Sequence, residues 1–196
     1  MSTLSGKSNK LLRKELRQRR RDIPSRLRLA HDRAIQMHLL QLIRSQQIGS
    51  LACFWPFDGE PDLLPICKKL IADDCKIALP VVSEQLDYKM EFHRWDAVSP
   101  LTKNRYGIHE PQKTISMPLS GFDMLLMPLV GYDKTGNRLG MGAGYYDRQL
   151  ETLRDLQKPY RLGIAYSLQR VSLIRKNDWD VPLHGLVNEH GWISFI

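Results

Sequence analysis

Residues 131–150 read Gly131-Tyr132-Asp133-Lys134-Thr135-Gly136-Asn137-Arg138-Leu139-Gly140-Met141-Gly142-Ala143-Gly144-Tyr145-Tyr146-Asp147-Arg148-Gln149-Leu150, and this stretch decides the fold. An apolar run, Met124 to Val130, enters it, and a helix-compatible segment leaves it from Tyr145 onward. A strand handing over to a helix through a loop is the repeating unit of an α/β domain. Between the two lie five glycines and two cations, Lys134 and Arg138. Glycine takes positive φ and lets a ligand approach the main chain. A glycine loop that opens a helix aims free N–H groups at whatever sits there, and the helix dipole favours an anion. Asp147 follows closely enough to hold a metal ion beside phosphates. The spacing Gly140-x-Gly142-x-Gly144 is neither the dinucleotide fingerprint nor a P-loop. On spacing alone, a surface turn and a nucleotide cradle both remain open.

Upstream of this stretch, residues 1–6 are small and polar, as at a frayed end. Lys7 to Asp22 favours helix, with Leu12 and Leu16 on one face, and Pro24 ends it. Lys10 and Arg13 lie one turn apart and suit a bound phosphate, although a solvated basic helix has the same composition. The run Arg19-Arg20-Arg21 offers a contact to nucleic acid, but no aromatic residues interleave with it. Ser25 is a plausible N-cap for a second helix running to Ser45. Leu51 to Trp55 reads as the first buried strand. The loop after it, Trp55-Pro56-Phe57-Asp58-Gly59-Glu60-Pro61-Asp62, falls where open α/β sheets place ligands. Trp55 and Phe57 with Glu60 suit a flat, nitrogen-rich ring; a packed Trp and a capping acid suit the residues equally.

The periodicity further predicts a helix over Leu63–Asp73, a strand over Lys76–Leu79 ended by Pro80, and a half-exposed strand over Leu86–Trp95. Residues 100–111 read as an irregular loop lying over a cleft. Phe122–Val130 reads as a buried strand with Pro128 near its end, Tyr145–Leu156 as a helix, Tyr160–Tyr166 as a strand, and Leu186–Ile196 as a closing edge strand. Leu168–Ile174 is ambiguous. The expected architecture is one α/β domain over 1–196, three-layered, with a mostly parallel central sheet and helices on both faces.

The chain has 196 residues, of which 42% are hydrophobic and 26% charged, an ordinary globular composition. No apolar run approaches a membrane span and none follows the N-terminus as a leader, so the cytoplasm is the expected location. Cys53, Cys67 and Cys75 lack metal-site spacing and read as free, mostly buried thiols. The net charge of +8 is uneven: residues 1–33 hold 11 Lys and Arg against 3 Asp and Glu, and the remainder holds 18 of each. The basicity belongs to the N-terminal segment, and the rest does not look like a general polyanion binder.

Four blocks, in order along nearly the whole chain, resemble the 5-formyltetrahydrofolate cyclo-ligase family: Leu12-Arg13-Lys14-Glu15-Leu16, Gly59-Glu60-Pro61-Asp62, Asp133-x-x-Gly136-Asn137-Arg138-Leu139-Gly140-x-Gly142-x-Gly144-Tyr145-Tyr146-Asp147, and Asp180-Val181-Pro182-Leu183. The resemblance implies ATP- and magnesium-dependent closure of 5-formyltetrahydrofolate to 5,10-methenyltetrahydrofolate, with ADP and phosphate released. It also implies ATP and a reduced folate as ligands of a monomer, with neither nucleic acid nor membrane as partner. By the same resemblance, Lys10, Arg13 and Lys14 contact ATP, and Arg138, Leu139, Gly140, Met141, Gly142, Ala143, Gly144, Tyr145 and Tyr146 wrap it. Trp55 and Glu60 contact the folate, Met141 to Tyr145 line the boundary between the substrates, Arg138 and Tyr145 serve catalysis, and Asp147 and Asp180 hold magnesium. The family's N-terminal lysine often lies four residues before the arginine, where this chain has Asn9. A basic residue or glycine often stands at the position of Ala143, and an acid at that of His184.

Overall fold

The computed structural model describes residues 8–83, 89–112, 114–151, 153, 158–175, 177 and 180–196. In chain order the elements are α1 (Asn9–Arg21), α2 (Ser25–Ser45), β1 (Ser50–Ala52), α3 (Leu64–Ala72), β2 (Lys76–Val82), β3 (Met90–Trp95), β4 (Leu101–Lys103), β5 (His109–Pro111), β6 (Ser116–Met117), β7 (Met124–Pro128), β8 (Gly131–Tyr132), β9 (Arg138–Leu139), α4 (Tyr145–Glu151), β10 (Tyr160–Ile164), β11 (Gly185–Asn188) and β12 (Gly191–Ser194). Eight strands form one sheet in the order β12-β11-β10-β7-β1-β2-β3-β6. The five central strands, β11 to β2, are parallel, and β12, β3 and β6 pair antiparallel at the margins.

Side chains alternate across this sheet, as a strand buried on both faces requires. Met124 and Leu126 of β7 join Leu51, Ile77 and Leu162 in a core shared with Ile35 and Leu39 of α2 and Ile66 and Leu70 of α3. Leu125 and Met127 turn the other way, towards Leu150 of α4, Phe92, Phe122 and Leu186. Helices therefore cover both faces. A third, smaller cluster seats α1: Leu12 and Leu16 pack on Val130, Leu139, Val171 and Ile174.

Several expectations shift in detail. Pro24, not Ser25, is the N-cap residue of α2, and no side-chain cap bond forms there. Strand β2 runs through Pro80 to Val82. Alternation puts the Pro80 nitrogen on the β1 side, so pairing with β1 ends at the bond from Cys53 N–H to the Ala78 carbonyl, while β2 continues against β3. Residues 101–111 are ordered as a hairpin, with Leu101 opposite Pro111 and Lys103 opposite His109. The C-terminal segment is two strands, β11 parallel to β10 and β12 folding back on β11. The start of the Leu86–Trp95 strand and the end of the Tyr145–Leu156 helix fall outside the described residues.

Candidate active site

Strand β1 continues to β2 on one side of the sheet, and its other neighbour β7 continues to β10 on the opposite side. The two are parallel, with Leu51 opposite Met124 and Ala52 opposite Leu125. Their carboxyl ends diverge at a topological switch point, where a doubly wound sheet leaves a crevice. The Trp55–Asp62 loop leaves β1 there, and the glycine stretch follows β7. Between them lies a cleft of about 610 Å³.

The first half of the glycine stretch is a folded support. Gly131 and Tyr132 pair with Leu139 and Arg138. Asp133 closes the turn, accepting from Thr135 N (2.9 Å), Thr135 Oγ1 (2.7 Å) and Asn137 Nδ2 (3.0 Å), and from Ile174 N at 3.0 Å. Burial pushes the Asp133 carboxyl up, but the bonds from Asn137 and Thr135 outweigh it and hold the group below its ordinary value. Lys134 projects from this turn into solvent and does not line the cleft. The open loop is residues 140–144, where Gly142 and Gly144 have φ of +105° and +73°.

Three groups of side chains surround that loop. On the β1 side stand Phe54, Trp55, Phe57 and Glu60. Trp55 meets Trp95 edge-on at 6.1 Å and His109 at 5.0 Å. Glu60 Oε2 accepts from Phe57 N at 3.1 Å, and Oε1 lies 3.8 Å from Arg20. Burial raises the Glu60 carboxyl to about 7 against the partial relief from Arg20, so near neutrality it exchanges a proton. On the far side, Asn9 and Arg13 come from α1, and Arg175, Asn177 and Asp180 come from the segment before β11. Above, the β4–β5 hairpin contributes Asn104, Tyr106 and Ile108. Its tip touches the glycine loop's helix: Tyr145 OH receives Arg105 Nη2 at 2.7 Å and lies 3.0 Å from Tyr106 OH.

The expected residues largely converge. Arg13, Arg138 to Asp147, Trp55, Glu60 and Asp180 all line this one cleft. Lys10 and Lys14 do not; they are exposed on α1, and Asn9 is the neighbour of Arg13 at the wall. Arg13 Nε donates to the Gly140 carbonyl at 2.9 Å, tying α1 to the loop. Arg138 donates to Asp147 Oδ1 and to the Val181 carbonyl. Burial also raises the Tyr146 hydroxyl, keeping it protonated. His184 is buried, its Nδ1 accepting from Arg161 N at 3.2 Å, and burial lowers it to about 4.

Of the arginine run, Arg20 faces inward, whereas Arg19 and Arg21 are exposed. Arg20 is wholly buried, donating to the Leu129 carbonyl and the Asp58 carbonyl, both at 3.0 Å. Arg17, Arg20 and Arg21 converge on the Asp58 carboxylate at 2.7, 3.0 and 2.9 Å, and Arg19 pairs with Glu15 at 2.6 Å. Arg17, Arg20 and Arg21 brace α1 to the β1 loop. Asp58 and Gly59 have φ of +51° and +76°, a tight turn that presents the acid to the helix and Glu60 to the cleft.

A model of the 5-formyltetrahydrofolate cyclo-ligase family matches residues 5–189. The chain belongs to this family. Membership makes it an enzyme of the ligase class. A 5-formyltetrahydrofolate cyclo-ligase of Haemophilus influenzae is 32% identical over 178 residues, covering 90% of this chain and 95% of that protein. Among solved structures, the chain resembles the Aquifex aeolicus 5,10-methenyltetrahydrofolate synthetase with a TM-score of 0.82 at 27% identity, covering 95% and 92% of the two chains. It resembles a 5,10-methenyltetrahydrofolate synthetase of Mycoplasma pneumoniae with a TM-score of 0.77 at 25% identity, covering 93% and 99%. No helix among the described residues is long and apolar enough to cross a membrane.

Sequence reading lays the 100–111 segment over a cleft without singling out Asn104, Tyr106 and Ile108, and it misses Arg175 and Asn177. The Tyr106-Gly107 turn hints at the hairpin, whereas Arg175 and Asn177 sit in a segment with no periodic signal.

Proposed function

We propose that the chain converts 5-formyltetrahydrofolate to 5,10-methenyltetrahydrofolate, hydrolysing one ATP to ADP and phosphate per turnover. The observation that carries this reading is the glycine loop, 140–144, lying between a cationic wall and an aromatic–acid wall of one cleft. The first suits a polyphosphate; Trp55 with Glu60 suits a pterin, whose ring nitrogens and amino group exchange hydrogen bonds with a carboxyl.

In the proposed reaction the formyl oxygen attacks the γ-phosphorus, and ADP leaves with the bond electrons. The oxygen, a poor leaving group as oxide, becomes a phosphate ester. Nitrogen ten then attacks the activated carbon, the ring closes, phosphate departs with the oxygen, and the nitrogen-ten proton passes to solvent. Phosphoryl transfer asks the protein for alignment and charge neutralisation rather than a nucleophile. Arg13 and Arg138 are offered as cations near the phosphates. Tyr145 is offered as an aligning hydroxyl at the substrate boundary. Glu60 is offered to orient the pterin, and the apolar walls Phe54, Met90 and Ile108 exclude water.

Magnesium is commonly held by one or two carboxylates together with phosphate oxygens and water. Asp147 and Asp180 line the same cleft, and among the described residues no group of three His, Cys, Asp or Glu gathers to hold a metal. That donor set fits an ion held chiefly by the nucleotide, with these two acids beside it, supplying charge neutralisation on the polyphosphate. We take the chain to act as a single-domain monomer in the cytoplasm, without nucleic acid or membrane as partner.

The test is direct: purified protein, magnesium-ATP and 5-formyltetrahydrofolate, with the methenyl product followed by absorbance and ADP by a coupled assay. Equal appearance of both is expected; neither appearing overturns the reading.

A further inference from the structure

Most of the cations that the sequence offers to a polyphosphate are either outside the cleft or already engaged. Lys10, Lys14 and Lys134 do not line it. The Arg138 guanidinium lies against the Asp147 carboxylate, so its charge is locally offset. Arg148 donates to the Ala143 carbonyl at 2.8 Å. Arg13 turns its Nε to the Gly140 carbonyl.

Arg175 differs from these. It lines the same cleft and is exposed. Among the described residues no hydrogen bond or ion pair engages its guanidinium. Its backbone, in contrast, is fixed from both sides. The preceding residue, buried Ile174, donates its N–H to Asp133 Oδ2 at 3.0 Å. The Arg175 carbonyl accepts from Asn9 Nδ2 at 3.0 Å. The carboxylate that shapes the glycine hairpin therefore also sets the base of Arg175. The helix that carries Arg13 supplies the second anchor, since Asn9 and Arg13 are four apart on one face.

We propose that Arg175 is a phosphate-binding cation of the nucleotide site and that Asn9 is its positioning residue. This rests on the ATP reading above. A guanidinium presents paired N–H donors that match phosphate oxygens, and charge-assisted bonds of this kind are among the strongest available. A fixed backbone beneath a long side chain lowers the entropy lost when the head group is ordered. Arg175 and Arg13 then face the polyphosphate from one wall, opposite the N–H groups of the glycine loop.

The experiment compares the full chain with Arg175→Ala, Arg175→Lys, Asn9→Ala and the Arg175→Ala/Asn9→Ala double variant. Binding of ATP and of 5-formyltetrahydrofolate is measured separately by calorimetry, and KM for each by turnover. Arg175→Ala is expected to weaken ATP about tenfold, the loss of one charge-assisted contact. Folate affinity and melting temperature are expected to hold, since the side chain is exposed. Arg175→Lys recovers part of the loss. Asn9→Ala gives a smaller loss, and the double variant is no weaker than Arg175→Ala alone. If Arg175→Ala binds ATP within twofold of wild type, the assignment of Arg175 is overturned. Additive losses in the double variant would overturn the positioning role of Asn9. A wild-type chain that binds no ATP would instead overturn the ATP reading itself.

Discussion

Arg138 and Asp147 are hydrogen-bonded to each other, guanidinium to carboxylate, at the start of α4. The sequence offers the first to the nucleotide and the second to its metal, and the fold holds them as a pair. The Arg138 side chain is only 7% exposed and Asp147 33%. Each orients the other and offsets its charge in a crevice that would otherwise penalise a lone charge. On the reading proposed above, a polyphosphate with its cation would take over both halves, phosphate to arginine and metal to aspartate. Arg138→Ala is expected to remove about 2–4 kcal/mol of transition-state stabilisation, comparable to losing an oxyanion-type donor. Steady-state kcat/KM measures it; a variant within about tenfold of wild type would contradict the role.

Asp58 is the second electrostatic centre. It receives three arginines of α1, one of them fully buried. Asp58→Ala leaves buried Arg20 with only the longer 3.8 Å carboxylate contact to Glu60, and about 3 kcal/mol of stability is expected to be lost in urea denaturation. Burial pushes the Asp58 carboxyl up, but the bonds from Arg17 and Arg21 and the nearby Arg20 charge bring it below 3.8. Its stabilisation is therefore complete above pH 3.8 and declines as pH falls through the lower folded value. An Asp58→Ala variant with the same acid unfolding profile as wild type would refute this.

Glu60 titrates in the opposite sense. Its folded value, about 7, exceeds the ordinary 4.5. Between those limits the folded chain holds a proton that the unfolded chain releases, so stability falls as pH rises from 4.5 through 7. Glu60→Gln removes this slope. The stability of wild type minus that of Glu60→Gln should drop by about 3 kcal/mol across the interval, read from denaturation curves at pH 4.5, 6 and 8. A difference that stays flat, or rises, rejects the assignment.

Leu16 is 0% exposed within the cluster that seats α1. A Cβ on Gly131 would come within 2.7 Å of its side chain, so the helix and the hairpin are in close contact there. Leu16→Ala should cost about 2–5 kcal/mol. It should raise KM for ATP more than KM for folate, because Asn9 and Arg13 ride on the same helix. Equal changes in the two constants would show that α1 does not serve one substrate preferentially.

Much of the sheet is legible in the sequence because its strands are short apolar runs between turn residues, as at Met124–Val130. The cleft is legible because the glycine loop and the Trp55–Asp62 loop both sit at strand ends. The hairpin at 101–111 is not, since Leu101-Thr102-Lys103 and His109-Glu110-Pro111 have neither apolar alternation nor β-branched enrichment. Asp58 is not, because its partners lie 37 to 41 residues away and a lone turn aspartate has many ordinary uses. The choice between Asn9 and Lys10 turns on helix phase. They stand about 40° and 60° either side of Arg13, a difference that only the docking of α1 resolves.

That docking has a topological consequence. Helix α1 contributes no strand, and its hold on the sheet is a small cluster and an arginine brace. The residues joining it to α2, Asp22 to Pro24, are few. A protease cutting there would sever the cleft residues Asn9 and Arg13 from the rest while leaving the five parallel strands covalently whole. On the ATP reading proposed above, one wall of the nucleotide site, with Asn9 and Arg13, is thus carried by a length of chain separable from the sheet, while the glycine loop stays with the sheet.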